Sequence, residues 1–356
     1  METKTIITTS ERNPLENIEI WFHKVKNSNN EIIVTKRSIV YNGYFIDANI
    51  LSYLEDLVKE KIPVYSKTYF KLMKICFLIT KEKNVFIPTL ALWERSKIEK
   101  DLPFPDATIN KERLVELLEI IFLCQSLDDS VPINYSIKFN ESKLKRLLDL
   151  YGSTNAKDAA ANYLKRMKFY EMVEHHKKDF SDKIEVNVQY LNLCYAAHKQ
   201  VAQNRSEESK VKIFIDLLND ANLPMVTKTI NFCLRTLSDS LSNGDLKFKY
   251  NTEINGYKAI HPEKSKSTAT DLFISDYAYL INGSIVSGIS YNTIFITADK
   301  VAVMAEDDIS TYMIHSEDGL PIRYDRKPEF DYLKKSDKEI VNNYFEIRRL
   351  NSFKFT

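Results

Sequence analysis

Glycine is scarce in this chain, with 7 among 356 residues. A phosphate-cradling loop needs several glycines at fixed spacing, and neither GxxxxGK nor GxGxxG occurs. P-loop and dinucleotide-binding chemistry are excluded on that ground. Cysteine is sparse too. The 4 present, Cys76, Cys124, Cys194 and Cys233, form no CxxC and fall in apolar, helix-like stretches. They read as buried free thiols of a reducing compartment. An excess of one charge is also missing: 50 Lys and Arg stand against 49 Asp and Glu. A nucleic-acid surface must therefore be a local patch, since no global basic field exists. No apolar run approaches the ~18 residues of a membrane helix. The opening METKTIITTSERNPLENIEIWF has no apolar signal-peptide core. The expectation is a soluble, cytoplasmic protein with no membrane partner.

What is present is a globular mixture, 44% hydrophobic and 28% charged, enough to bury a sizeable core. The length suits two domains, or one domain with a large insertion. Residues 1–43 are mixed and polar, with one strand expected at Glu31–Val34. Then YNGYFIDANILSYLEDLVKEKIP reads as a short apolar strand, a tight turn and a helix. Ile50, Leu51, Leu54, Leu57 and Val58 give the helical spacing, and Pro63 is expected to end it. KTYFKLMKICFLIT reads as a second helix, apolar almost all round and buried. NVFIPTLALWERSKIEK gives another strand, with Pro88 and Thr89 opening a helix. From about 101 to 245 the pattern is helical, without a fixed repeat period. SNGDLKFKYNTEINGY reads as turn and strand, and HPEKSKS as a polar linker. Strand-helix alternation returns in TDLFISDYAYLING, NTIFITADK, KVAVMAED and TYMIHS, with EDGLPI as a turn. Alternation at both ends of the chain predicts one parallel sheet built from both ends, interrupted by a helical insertion.

In such a sheet, ligands sit beyond the carboxyl ends of the strands. Asp47 follows the strand Tyr44–Ile46, and Asp299 follows the strand Ile294–Thr297. Glu94 lies in the early helix after the strand Val85–Ile87. Asp271 is expected to open the helix before Ile294–Thr297, where the amide dipoles favour an acid. Four carboxylates brought together repel and need a cation. Hard oxygen ligands select Mg²⁺ or Mn²⁺, an arrangement suited to phosphodiester hydrolysis. Each position also has a simpler reading, because an Asp between strand and helix is ordinarily an N-cap. Asp276, about 140° around the helix from Asp271, falls at the rim.

These pieces, in this order, resemble the PIN domain family of metal-dependent nucleases. The residues that carry the resemblance are FIDANIL around Asp47, VFIPTLALWERS around Glu94, ATDLFISDYAYL around Asp271 and IFITADK around Asp299. The resemblance spans roughly residues 42–100 and 265–316. It implies a three-layer α/β/α core, discontinuous over 44–100 and 262–316. A 1–43 extension, a helical insertion at 101–261 and a 317–356 extension would complete the chain. The departure from the family is the distance between the second and third acids, which lie close in sequence there and are separated by the whole insertion here.

The resemblance further implies that Asp47, Asp271 and Asp299 bind a main Mg²⁺ or Mn²⁺, with Glu94 on a second ion or a water. Asn49 and Thr297 would hold the acids by hydrogen bonds. Arg95 and Lys300 would contact phosphate. The substrate it implies is RNA, often single-stranded, cut to leave 5′-phosphates. In the insertion, YLKRMKFYEMVEHHKK sets Lys165, Arg166, Lys168, Lys177 and Lys178 beside Tyr163, Phe169 and Tyr170. That pattern suits a nucleic-acid strand, and equally an amphipathic helix with a solvated lysine face. His175 and His176 read as surface residues. Three functions stay open: an endoribonuclease of the toxin or phage-defence kind held silent by a partner, a structure-dependent DNase like flap nucleases, and a non-catalytic module whose insertion binds protein. A haloacid-dehalogenase phosphatase would need DxD after the first strand, where this chain has Asp47-Ala48-Asn49.

Overall fold

The computed structural model describes residues 21–24, 43–80, 85–128, 137–204, 209–238, 260–281, 285–286, 289–290, 293–299, 309–315, 321–328 and 330–352. The expected strand at 31–34, the strand within 241–257 and the helix after residue 300 lie outside them. In chain order the first elements are β1 (Trp21–Lys24), β2 (Gly43–Ile46), α1 (Ala48–Val58), α2 (Lys67–Thr80), β3 (Val85–Ile87) and α3 (Thr89–Arg95). Next come α4 (Lys111–Gln125), α5 (Glu141–Leu150), α6 (Ala156–Arg166), α7 (Phe169–Asn204), α8 (Lys210–Ala221) and α9 (Thr227–Leu237). The chain continues with α10 (Pro262–Ile281), β4 (Ile285–Val286), β5 (Ile289–Ser290), β6 (Thr293–Thr297), β7 (Ile309–His315), β8 (Pro321–Pro328) and α11 (Lys335–Ser352).

The fold is α/β and predominantly helical. Its main sheet has the order β1-β6-β2-β3. β2 runs parallel to both β3 and β6, so strands from both ends of the chain meet in one parallel sheet, as the alternation predicts. Tyr44, Phe45 and Ile46 are all buried, the continuous apolar run expected of a strand covered on both faces. β1 adds an antiparallel edge strand against β6, which the sequence does not announce. β7 is a strand as expected, but it belongs elsewhere: it pairs antiparallel with β8 in a separate two-stranded sheet. The connection between them is too short for a parallel crossover, which needs a dozen residues or more.

The chain divides into two compact units. The first holds β1 to β3, α1 to α6, α7 up to Ser181, α10 from Ile274, and β4 to β6. The second holds α7 from Asp182, α8, α9, α10 up to Phe273, β7, β8 and α11. The helical stretch 101–261 thus contributes to both units. In the first, Phe45 packs against Phe295 and Tyr277, with ring centroids 5.7 and 6.2 Å away. Trp93, Phe104 and Phe180 form an adjoining aromatic cluster. In the second, α9 is buried over all of Lys228–Leu237. The Asn187 amide holds that unit together by donating to Ala269 O at 3.3 Å and accepting from Thr229 Oγ1 at 2.8 Å.

Scarce glycine leaves its mark on the corners. Among the described residues, five that are not glycine take left-handed backbone angles: Glu60, Tyr65, Lys168, Asn222 and Phe330. Glu60 (φ 55°) explains why α1 stops at Val58 rather than at Pro63. Its N–H donates to Leu57 O, and the N–H of Lys61 donates to Asp56 O. This is the paired bonding that closes a helix through a left-handed residue, a position where glycine is usual.

A repeated device also appears where no repeat was expected. Ser96 caps the end of α3 and Asn110 the start of α4, and the Asn110 N–H donates to Ser96 O at 2.7 Å. Ser126 ends α4 and Asn140 starts α5, and the Asn140 N–H donates to Ser126 O at 2.7 Å. Each loop is pinned inside by one antiparallel bridge, Lys97 to Ile109 and Leu127 to Phe139. Both Asn side chains accept from the amide three residues on.

Candidate functional site

The register of the sheet builds the site. Ile46 lies opposite Ile296, so Asp47 falls beside Thr297 at the carboxyl ends of neighbouring parallel strands. The Asp47 N–H continues the ladder by donating to Ile296 O at 2.9 Å. The Thr297 hydroxyl donates to Asp47 Oδ2 at 2.8 Å, and the Asn49 amide donates to the same oxygen at 3.4 Å. Thr297 Oγ1 in turn accepts the backbone N–H of Asp299 at 2.8 Å. One hydroxyl therefore holds one carboxylate and fixes the backbone of the next. Asp47 stands at the N-cap position of α1 but makes no capping bond to the helix from its side chain.

Asp47 is only 5% exposed. Burial, and then the charge of Asp299, raise its pKa to about 7, against the hydrogen bonds from Thr297, the Ala48 amide and Asn49. Near neutral pH the Asp47 carboxylate ionises against its burial and the neighbouring Asp299 charge, a cost that a cation would relieve. Tyr53 feels the same site. Burial and then the charges of Asp47 and Asp56 push its pKa up. Tyr53 is not among the residues expected at the site, although its i, i+4 spacing from Asn49 puts both on one face of α1.

The other expected members are placed differently. Glu94 is the penultimate residue of α3, at its end rather than in the early helix. It pairs with Lys97 at 2.8 Å. Burial raises its pKa against the pull of Lys97 and Arg95. Its Oε2 is buried without a hydrogen-bond partner. Asp271 does not open a helix. α10 starts at Pro262, and the His261 carbonyl accepts the first-turn N–H groups of Lys264 and Ser265. HPEKSKS is therefore helix rather than linker, with Pro in the first helical position where its missing N–H costs nothing. Asp271 lies mid-helix in the part of α10 that belongs to the second unit, whereas Asp276 lies in the part that belongs to the first. Both are half-buried. Arg95 is exposed, and Lys300 is outside the described residues.

In the basic stretch of α6 and α7 most cations are exposed and the aromatics are buried or half-buried. Lys165, Arg166, Lys168 and Lys178 are exposed. Tyr163 packs edge-on against Phe122 and Tyr151, and Phe169 is buried. The His176 ring stacks on Phe180. Tyr163, Tyr170 and Lys177 are half-buried.

Asp47 and Asp299 offer hard oxygen donors. Such a pair fits Mg²⁺, which keeps several waters and takes one or two carboxylates. Among the described residues no three His, Cys, Asp or Glu side chains gather closely enough to hold a metal ion by themselves. Among the described residues, no helix is long and apolar enough to cross a membrane. No protein-family model, curated protein or solved structure matches the chain.

Proposed function

We propose that this protein is a metal-dependent, PIN-like nuclease that hydrolyses phosphodiester bonds, with single-stranded RNA as its substrate. The observation that carries the reading is the pair Asp47 and Asp299, delivered by adjacent parallel strands and tied through Thr297. Asp47 and Asp299 would hold one Mg²⁺ or Mn²⁺. Such an ion supplies an activated water and neutralises charge on the phosphoryl oxygens. Thr297 and Asn49 hold Asp47 in position, and burial strengthens its interaction with any cation that enters. Asp276, the acid of α10 in the same unit as this pair, would act through a bridging water, because no third carboxylate gathers at the pair among the described residues.

Labelled RNA and DNA of equal sequence, incubated with Mn²⁺, Mg²⁺ or EDTA, test the reading. Wild type should cut RNA only with metal, and Asp299→Asn should not. Cutting of DNA alone would move the assignment to a DNase. A second reading is favoured by Glu94, whose carboxylate is engaged by Lys97: a non-catalytic module of the same fold. A folded wild type that neither cuts nor binds Mn²⁺ by calorimetry would establish that alternative.

A further inference from the structure

α2 was expected to be buried almost all round, and it is not. Its inner face, with Tyr69, Leu72, Ile75, Cys76 and Ile79, is buried. Its outer face is an apolar crest: Phe70 is 55% exposed and Phe77 47%. Large exposed apolar groups gathered on one face mark interaction surfaces, whereas scattered single ones do not. Phe70 and Phe77 lie two helical turns apart, with the half-buried Met73 between them. This is the a-d-a spacing by which one helix receives another. Seven residues of helix rise about 10.5 Å along the axis, the length of one heptad.

Charge lies on one side of the crest. Lys67 and Lys74 are exposed and repeat at the same seven-residue interval, in the flanking position that selects partners by charge. The 14 residues of α2 contain no acid. Two copies of this face laid antiparallel would set lysine against lysine, so the charge disfavours that pairing. Two lysines are also a thin phosphate track for nucleic acid, while Phe, Met and Phe make a continuous ridge for apolar side chains.

We propose that the outer face of α2 docks an amphipathic helix of a partner protein, its apolar stripe seated on Phe70, Met73 and Phe77 and its acidic residues facing Lys67 and Lys74. The proposal is independent of the nuclease reading, because it concerns binding alone.

The probe is a fluorescein-labelled three-heptad peptide with Leu in its core positions and Glu in its flanking positions. A second peptide carries Lys in place of Glu. Anisotropy is read against the full chain. The Glu peptide should bind wild type at least about tenfold more tightly than the Lys peptide. Phe70→Ser/Phe77→Ser should abolish binding with the circular dichroism spectrum and melting temperature retained. Lys67→Glu/Lys74→Glu should reverse the preference between peptides. Failure of both peptides to bind wild type, or equal binding of both, would overturn the proposal. So would binding that survives loss of both rings. Sedimentation of the protein alone and titration with single-stranded oligonucleotide cover the other occupants. Self-association, or oligonucleotide binding, that vanishes in the Phe variant while the peptides do not bind would assign the face to a second copy or to nucleic acid.

Discussion

The Thr297 hydroxyl and the Asp47 carboxylate meet at 2.8 Å although 250 positions of chain separate them. The bond is a consequence of register, because parallel pairing of β2 with β6 sets these residues side by side. Both lie at the sheet edge where α/β proteins bind ligands.

Asp47 makes stability depend on pH. Its folded pKa of about 7 lies above the ordinary 3.8. The folded form therefore prefers the protonated acid. The contribution is fully present below about pH 4 and is lost as pH rises through 7, on the order of 4 kcal/mol in all. Asp47→Asn should melt higher than wild type at pH 8 in EDTA, with the gap closing by pH 4. Mn²⁺ should raise the melting temperature of wild type at pH 8 and leave Asp47→Asn unmoved.

Thr297→Val removes the donor without changing the shape. Asp47 Oδ2 loses its shortest hydrogen bond, a cost of about 2 kcal/mol when the acid is ionised. Urea melts at pH 8 should show that loss, and melts at pH 4 a smaller one. Thr297→Ser should stay close to wild type in both.

The choice between the two acids of α10 is open to a direct comparison. Asp276→Asn should weaken Mn²⁺ binding, read by calorimetry, and Asp271→Asn should leave it unchanged. The reverse order would return Asp271 to the site.

Glu55 anchors α1 to α4. Arg113 donates to it through both terminal guanidinium nitrogens, at 2.8 and 2.5 Å, and Lys59 adds a further bond at 2.6 Å. The Arg113 hydrogen bonds, opposed by burial and helped by Lys59, hold the Glu55 pKa down at about 2. Its contribution is present above the ordinary 4.5 and is lost as pH falls through 2. Arg113→Met should cost about 2 kcal/mol at pH 7, with the difference from wild type shrinking in acid.

Glu60 takes a left-handed corner that glycine takes without a Cβ clash. Glu60→Gly should raise stability by about 1 kcal/mol. A chemical melt that shows no gain would mean that the side chain of Glu60 makes up for its backbone strain.

Much of the Asp47 half of the site was legible. A strand buried on both faces reads as Tyr44-Phe45-Ile46, and the acid after it has one place to go. The same holds for Thr297 and Asp299. The misreadings have separate causes. The start of α10 is polar because its first turns are mostly solvated, so Pro262 to Lys266 looked like linker until Pro is taken as a first helical residue. Glu94 and Lys97 are one turn apart, and it is burial, invisible in the string, that makes their pairing matter. β1 was missed because its partner strand lies at the other end of the chain. The twin clasps escaped notice because only their Ser and Asn endpoints recur while the loops between them differ.

α9 carries a further consequence. Ten consecutive residues, Lys228–Leu237, are buried, and they include two cationic side chains, Lys228 at 1% and Arg235 at 2% exposure. Deuterium reaches such amides only when the surrounding unit opens. Exchange along this one helix should therefore be slow and uniform, reporting the lifetime of the second unit as a whole. Opening it sets two buried cations into water at the same moment, so the release should come as one cooperative event rather than as fraying from an end.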